Sequence, residues 1–205
     1  MERGRSQTCV VSGKSFRGVM AQLEILLVDN PILRRKSKKI RTVDASIQRL
    51  IDDMIETMDS NHGVGLAAPQ VGQLIRVLVI HIAEEEPLAL VNPEVVKRAG
   101  ERLVEEGCLS IPGWRGEVKR SVTVTVKALN REGKQVRIKA TDDLLAQALE
   151  HEIDHLDGVL FIDHLSSPDK LWKLPPPEEL EEDTASADPA DSRQPELVGA
   201  QQPAL

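Results

Sequence analysis

The stretch Asp142-Asp143-Leu144-Leu145-Ala146-Gln147-Ala148-Leu149-Glu150-His151-Glu152-Ile153-Asp154-His155-Leu156-Asp157-Gly158 decides how this 205-residue chain is read. Asp142 or Asp143 offers a side-chain oxygen to the orphan N–H groups of a first helical turn, and Gly158 supplies a left-handed stop. Between them the spacing predicts one helix running to about Leu156. Histidines four residues apart stand one above the other on a helix face, so His151 and His155 can reach a single metal ion without distortion. Glu152 lies about 100° round the helix, off the ligand plane but within reach of a water on that metal. The plainer reading is a surface helix with two solvated histidines. Ala148 and Leu144, three and seven residues before His151, argue against it, because they line the same face with the small and apolar groups a pocket wall needs. Asp154 reads either as a structural acceptor or as a partner of a ligand, and the spacing leaves both open.

A catalytic metal site takes a third protein ligand and keeps one position open. His164, nine residues past His155 and beyond the helix stop, is poorly spaced for that role. Upstream, Glu105-Glu106-Gly107-Cys108-Leu109-Ser110 sets a thiol beside a glycine, in a loop that Pro112 and Gly113 close. As a thiolate Cys108 is a strong ligand for a borderline metal; the plainer reading is a small buried hydrophobe. A third segment, His62-Gly63-Val64-Gly65-Leu66-Ala67-Ala68-Pro69-Gln70, joins two glycines that permit close approach to one amide side chain. Alone it reads as a tight turn leading into a strand over Leu74–His81.

Further out, Asp44 can cap a helix whose Ile47, Leu50, Ile51, Met54, Ile55 and Met58 recur at three- and four-residue steps. Ser121–Leu129 alternates, with Val122, Val124 and Val126 facing one way and Thr123, Thr125 and Lys127 the other. Asn130–Lys134 has turn chemistry, and Gln135–Lys139 reads as the return strand of a hairpin. Strands grouped together predict an α+β fold: small antiparallel or mixed sheets packed around a metal-binding helix, with a second amphipathic helix.

A composition of 40% hydrophobic and 29% charged residues describes one globular domain with an appendage. No apolar run approaches the ~18–20 residues of a spanning helix, so no membrane partner is expected. Two cysteines make no disulfide framework. The net charge of −7 gathers in residues 166–205, where nine acids face three bases and seven of the twelve prolines fall. The remainder is nearly neutral and shows no basic footprint for nucleic acid. Three segments follow: a flexible N-terminal arm over residues 1–19, a catalytic domain over 20–166, and an acidic, proline-rich tail over 167–205. From about Pro175 onward the tail holds too few large apolar residues to offset its ordering entropy.

The three motifs, Gly63–Gln70, Glu106–Ser110 and His151–Gly158, resemble the signature motifs of the peptide deformylase family in order and in spacing. Asp29-Asn30-Pro31-Ile32-Leu33-Arg34 resembles that family's N-terminal segment, and the resemblance spans about residues 22–166. It implies hydrolysis of the N-formyl group from the N-terminal formylmethionine of nascent polypeptides, releasing formate. It also implies a divalent metal held by Cys108, His151 and His155, iron in the cell, with zinc, nickel or cobalt also accepted. Glu152 would move the proton, and the Gln70 side chain and the Leu109 N–H would hold the oxyanion. Val64 and Gly65 would align the peptide main chain, Val104, Leu144 and Ala148 would wall the methionine pocket, and Arg115, beside Trp114, would touch substrate at the rim. Implied surroundings are a bacterial cytoplasm rather than an organelle, a monomer, and transient closeness to the ribosome. The acidic tail, however, lacks the basic C-terminal helix with which some members touch it. Glu150 stands where the family commonly has glutamine, and Gln147 falls on the pocket side of the helix. A zincin-like metallopeptidase, in which Cys108 is dispensable, is the rival enzyme; a non-catalytic module retaining the fold is the rival of another class.

Overall fold

The computed structural model describes residues 22–175; the arm read at 1–19, and the tail beyond 175, lie outside them. Helix α1 (Ala45–Ser60) starts at the expected cap, where the Asp44 carboxylate accepts from the N–H groups of Ser46 and Ile47 at 2.9 and 3.1 Å. Helix α2 (Leu144–Asp157) starts at Asp143, which accepts from Ala146 N–H at 2.7 Å. It stops at Gly158, whose φ of +80° costs a side chain strain and whose Cβ would sit 2.7 Å from the Arg34 carbonyl oxygen.

Seven strands lie between and around the two helices, with an eighth near the end: β1 (Gly65–Ala67), β2 (Val77–Ile80), β3 (Leu88–Ala99), β4 (Arg102–Cys108), β5 (Ile111–Arg120), β6 (Thr123–Leu129), β7 (Gln135–Thr141) and β8 (Leu171–Lys173). They form a five-stranded sheet in the order β1-β2-β3-β6-β7 and a three-stranded sheet in the order β4-β5-β8. Neighbours in both sheets are antiparallel; parallel pairing among the described residues is confined to the isolated Lys38–Ile75 bridge. The fold is therefore α+β, two helices with antiparallel sheets.

Alternation along β2 explains its wholly apolar sequence. Val77 and Val79 pack with Ile51, Met54 and Met58 of α1, whereas Leu78 and Ile80 pack with Leu149, Ile153 and Leu156 of α2. Each such buried side chain contributes about 1.5–3 kcal/mol relative to exposure. A third cluster, Leu33, Ile111, Val118, Leu160 and Phe161, joins the smaller sheet to the segment after α2.

Two expectations are corrected. The loop read around Cys108 is the tip of a hairpin: Cys108 ends β4, the turn is Leu109–Ser110, and Pro112, Gly113, Trp114 and Arg115 lie in β5. Glycine, proline and glutamate are poor strand formers by propensity, and cross-strand pairing overrides that bias here. Pro112 is tolerated because β8 pairs with β5 only from Trp114 onward. The domain boundary at 166 also falls too early. Residues 171–173 pair with 114–116, and Leu171 packs against the third cluster, a local feature hidden by composition averaged over the last forty residues.

Candidate metal centre

The end of β4 and one face of α2 bring three ligand types together. One ligand atom each from Cys108, His151 and His155 lies within 4.8 Å of the others. The Cys108 Sγ is 3.2 Å from His155 Nε2, and the two imidazoles stand edge to face with centroids 4.9 Å apart. The helical i, i+4 spacing sets the rings on one side of α2, and the β4–β5 hairpin delivers the thiol from across the cleft.

A buried network fixes this arrangement. His151 Nδ1 bonds Glu106 Oε2 at 2.8 Å, which leaves its other nitrogen for the cluster. Arg120 donates to both Glu106 oxygens, at 2.7 and 2.9 Å, and a third N–H to Asp154 Oδ2. Burial opposes ionisation of Glu106, yet the bonds from His151 and Arg120 bring it down to about 2. Asp154 also accepts from His164, which accounts for both residues and keeps His164 out of the ligand set.

Electrostatics suit a cation. Burial disfavours the Cys108 thiolate, but the imidazoles of His155 and His151 outweigh that and hold it well below the usual thiol range. Burial likewise opposes charge on His151, and bonds to Cys108 and Glu106 pull it well above the ordinary imidazole range. A thiolate favoured over the thiol and set beside two imidazoles is a donor set in which a divalent cation can take the place of a proton. Thiolate plus two imidazoles matches a zinc-like or ferrous ion by donor softness. Two buried atoms, Glu152 Oε2 and His155 Nδ1, have no hydrogen-bond partner. Burial pushes Glu152 up to about 7, so its carboxyl can both take and return a proton near neutrality.

The cluster opens into a cleft of about 900 Å³. Gln70 reaches it fully buried: its Oε1 accepts from Ala67 N–H at 2.8 Å, and its Nε2 donates to Ser110 Oγ at 3.1 Å and faces Cys108 Sγ at 3.5 Å. Gly65 passes so close to Glu152 that a Cβ would meet its Oε1 at 2.3 Å. The Val64 carbonyl accepts from His81 N–H at 2.8 Å, so alternation turns the main chain of Gly65 toward the unpaired edge of β1. Leu109, Arg115, Leu144, Gln147 and Ala148 line the cleft with Val64 and Gly65. Val104 does not. It shares the inward face of β4 with Glu106, two residues on, and packs against the third core cluster.

Glu150, adjacent to His151 in sequence, points elsewhere: it accepts from Ser121 N–H at 2.8 Å and from Arg98 at 2.7 Å. Sequence reasoning missed the positioning roles of Glu106 and Arg120. The acid two residues before the cysteine was the visible signal for the first; its partner Arg120 sits twelve residues past the cysteine, and only hairpin pairing joins them.

The sequence profile of the family described as polypeptide deformylase matches residues 22–171. A peptide deformylase of Dehalococcoides mccartyi is 53% identical over 165 residues, covering 80% of this chain and 98% of that one. One from Thermomicrobium roseum is 45% identical, covering 82% and 98%. Among solved structures, a peptide deformylase from Legionella pneumophila superposes with a TM-score of 0.70 at 49% identity, over 73% of this chain and 89% of that one. The Synechococcus elongatus enzyme in complex with actinonin gives 0.70 at 37% identity, over 72% and 83%. The chain belongs to the polypeptide deformylase family.

Proposed function

We propose that Cys108, His151 and His155 hold one divalent metal and that Glu152 is the proton carrier of the deformylation this enzyme performs. The enzyme is a hydrolase that removes the formyl group from N-terminal formylmethionine. The observation that carries the site reading is the convergence of a thiol and two imidazoles beside a buried, unpartnered carboxylate.

When bound, the cation supplies a Lewis acid that lowers the pKa of water toward neutrality. Glu152, poised near 7, accepts a proton from the attacking water and returns it to the departing amine. The C–N bond of the formamide breaks as a C–O bond forms, giving formate and a free amino terminus. The Gln70 Nε2–H and the Leu109 N–H stabilise the oxyanion, one such donor being worth on the order of 3–4 kcal/mol. Gly65 aligns the peptide as an added strand on the open edge of β1, a mode that reads main chain and tolerates most sequences. Val64 borders that strand with its side chain, its carbonyl being engaged by His81. Leu144 and Ala148 form the methionine wall, and Arg115 with Trp114 forms the rim.

We assign iron as the ion in the cell, with zinc, nickel and cobalt accepted by the same donor set. Working as a monomer on nascent chains in a bacterial cytoplasm, close to the ribosome, fits the substrate; no described helix is long and apolar enough to cross a membrane. Residues 20–166, extended to the end of β8, would be the catalytic unit.

Formyl-Met-Ala and the metal-loaded chain test the reading. Expected are formate release, its loss in Cys108→Ala together with the metal, and a drop of roughly 10²–10⁴ in Glu152→Ala with metal retained. Cleavage of internal peptide bonds, or full activity in Glu152→Ala, would overturn it.

A further inference from the structure

We propose that His81 is a positioning residue for the substrate peptide: as an imidazolium it clamps the turn that forms one wall of the cleft, and deprotonation loosens that wall. The proposal rests on the reading of β1 as the strand that aligns the peptide. His81 follows the last residue of β2, Ile80, which lies opposite Gly65. From there it holds both ends of the turn between α1 and β1. Its backbone N–H donates to the Val64 carbonyl at 2.8 Å, and its Nδ1 bonds the Asp59 carboxylate of α1 at 2.8 Å. Between those anchors lie Asn61, His62 and Gly63, which line the cleft together with Val64. His62 has a left-handed φ of +55°, and its N–H donates to the Asp59 carbonyl at 3.0 Å. A side chain adopts that conformation at a cost, so contacts at the ends of the turn have strain to oppose.

The ring makes every bond it faces only when charged. Nδ1 faces Asp59 and Nε2 faces the Glu85 carbonyl at 3.1 Å, and both partners are acceptors. A neutral imidazole carries one N–H and satisfies one of them; the imidazolium satisfies both. The charged groups facing the ring are Asp59 from α1 and Glu86 from the loop after β2, both acidic, while β1 meets His81 through the Val64 carbonyl. The bond to Asp59 holds the ring above the ordinary imidazole range. Glu84, in the same loop, is also left-handed at φ +70°, so the bond to Glu85 braces a second strained residue. Deprotonation costs the ring one of its two bonds and strips the Asp59 bond of its charge assistance. Its hydrogen-bond partners lie outside the metal cluster and the Glu106–Arg120 network, so the effect falls on peptide binding rather than on the proton transfer.

The test uses the full-length, zinc-loaded chain, in which histidine ring signals stay sharp in nuclear magnetic resonance. Kinetics on formyl-Met-Ala-Ser from pH 6 to 9 give KM and kcat separately, and the formylated amine does not titrate there. KM should rise about two- to five-fold as His81 loses its proton, the size an exposed ion pair allows. His81→Gln should keep the high-pH KM throughout and lack this rise, with kcat and its pH profile unchanged. Asp59→Asn leaves His81 in place and should move the rise to lower pH, toward the ordinary imidazole value of 6.5. The His81 ring signal should titrate above 6.5, at the midpoint of the KM rise, and shift down in Asp59→Asn. A ring titrating at or below 6.5, a KM rise that stays put in Asp59→Asn, or one that survives in His81→Gln would each overturn the proposal. A loss in His81→Gln confined to kcat would do the same. Failure of the unaltered chain to release formate would instead strike the functional reading, while the ring titration would still report on the clamp.

Discussion

Replacing Gly65 by alanine isolates one steric contact at the heart of the site. Gly65 is not among the residues with positive φ, so alanine can adopt its backbone without strain. What opposes the methyl group is Glu152: an added Cβ would lie 2.3 Å from Oε1, 2.8 Å from Cδ and 2.9 Å from Cγ. Ordinary carbon–oxygen contact begins near ~3.4 Å, so the carboxylate must retreat by about 1 Å. A misplacement of that size costs about 10²-fold in rate, or ~2.7 kcal/mol of barrier, while overpacking costs ~1–3 kcal/mol of stability. The assay is formate release from formyl-Met-Ala, with metal content measured on the same sample. Expected is a fall of about two decades in kcat/KM at unchanged metal occupancy. Gly113→Ala is the comparison, since nothing lies within 4 Å of a Cβ there, although its φ of +76° adds local strain. Wild-type kcat/KM in a folded, metal-loaded Gly65→Ala chain would refute the idea that Glu152 must stand where it does.

Three further outcomes are expected. Glu106→Gln should weaken metal affinity by about 10–100-fold in a competition titration, because the bond that fixes the His151 ring is altered; it should also cost about 1–3 kcal/mol in urea unfolding, because buried Arg120 loses one of its two carboxylate partners and keeps Asp154. Removing the metal with a chelator should abolish activity and lower Tm, with ferrous iron, zinc, nickel or cobalt restoring both in proportion to their affinity for the folded site. Lys127 and Lys39 hold the Glu94 carboxyl down at about 2, against 4.5 for the ordinary group. Their stabilising effect is therefore full above about pH 4.5 and lost as pH falls toward 2. Glu94→Gln should cost under about 1 kcal/mol at neutral pH, since the pair is solvent-facing, and the difference from the unaltered chain should vanish near pH 2 in acid unfolding.

Local signals in the chain carried a good part of the site. Two histidines four apart, a glutamate between them and an aspartate–glycine pair bracketing the segment are short-range facts, and helix geometry turns them directly into three-dimensional placement. The α1 face and the β6–β7 hairpin were legible for the same reason. Long-range facts were not. The proposed role of Cys108 as a third metal ligand rests on a family resemblance; by its chemistry alone the plainer reading is a small buried hydrophobe. The β4–β5 pairing that carries it, the Glu106–Arg120 bridge that holds His151, and the closing strand β8 depend on register between segments whose local propensities point to loops.

Sequence by itself thus determined that the two helices and the β6–β7 hairpin form, where each helix starts, and which side chains share a face, because those follow from caps and from periods of 3.6 and 2 along one element. Tertiary structure alone decided that Val104 faces the core, that Glu150 serves Ser121 and Arg98, and that Gly65 touches Glu152. Such relations depend on which strands pair and in what register, and no property of a single segment encodes its partner.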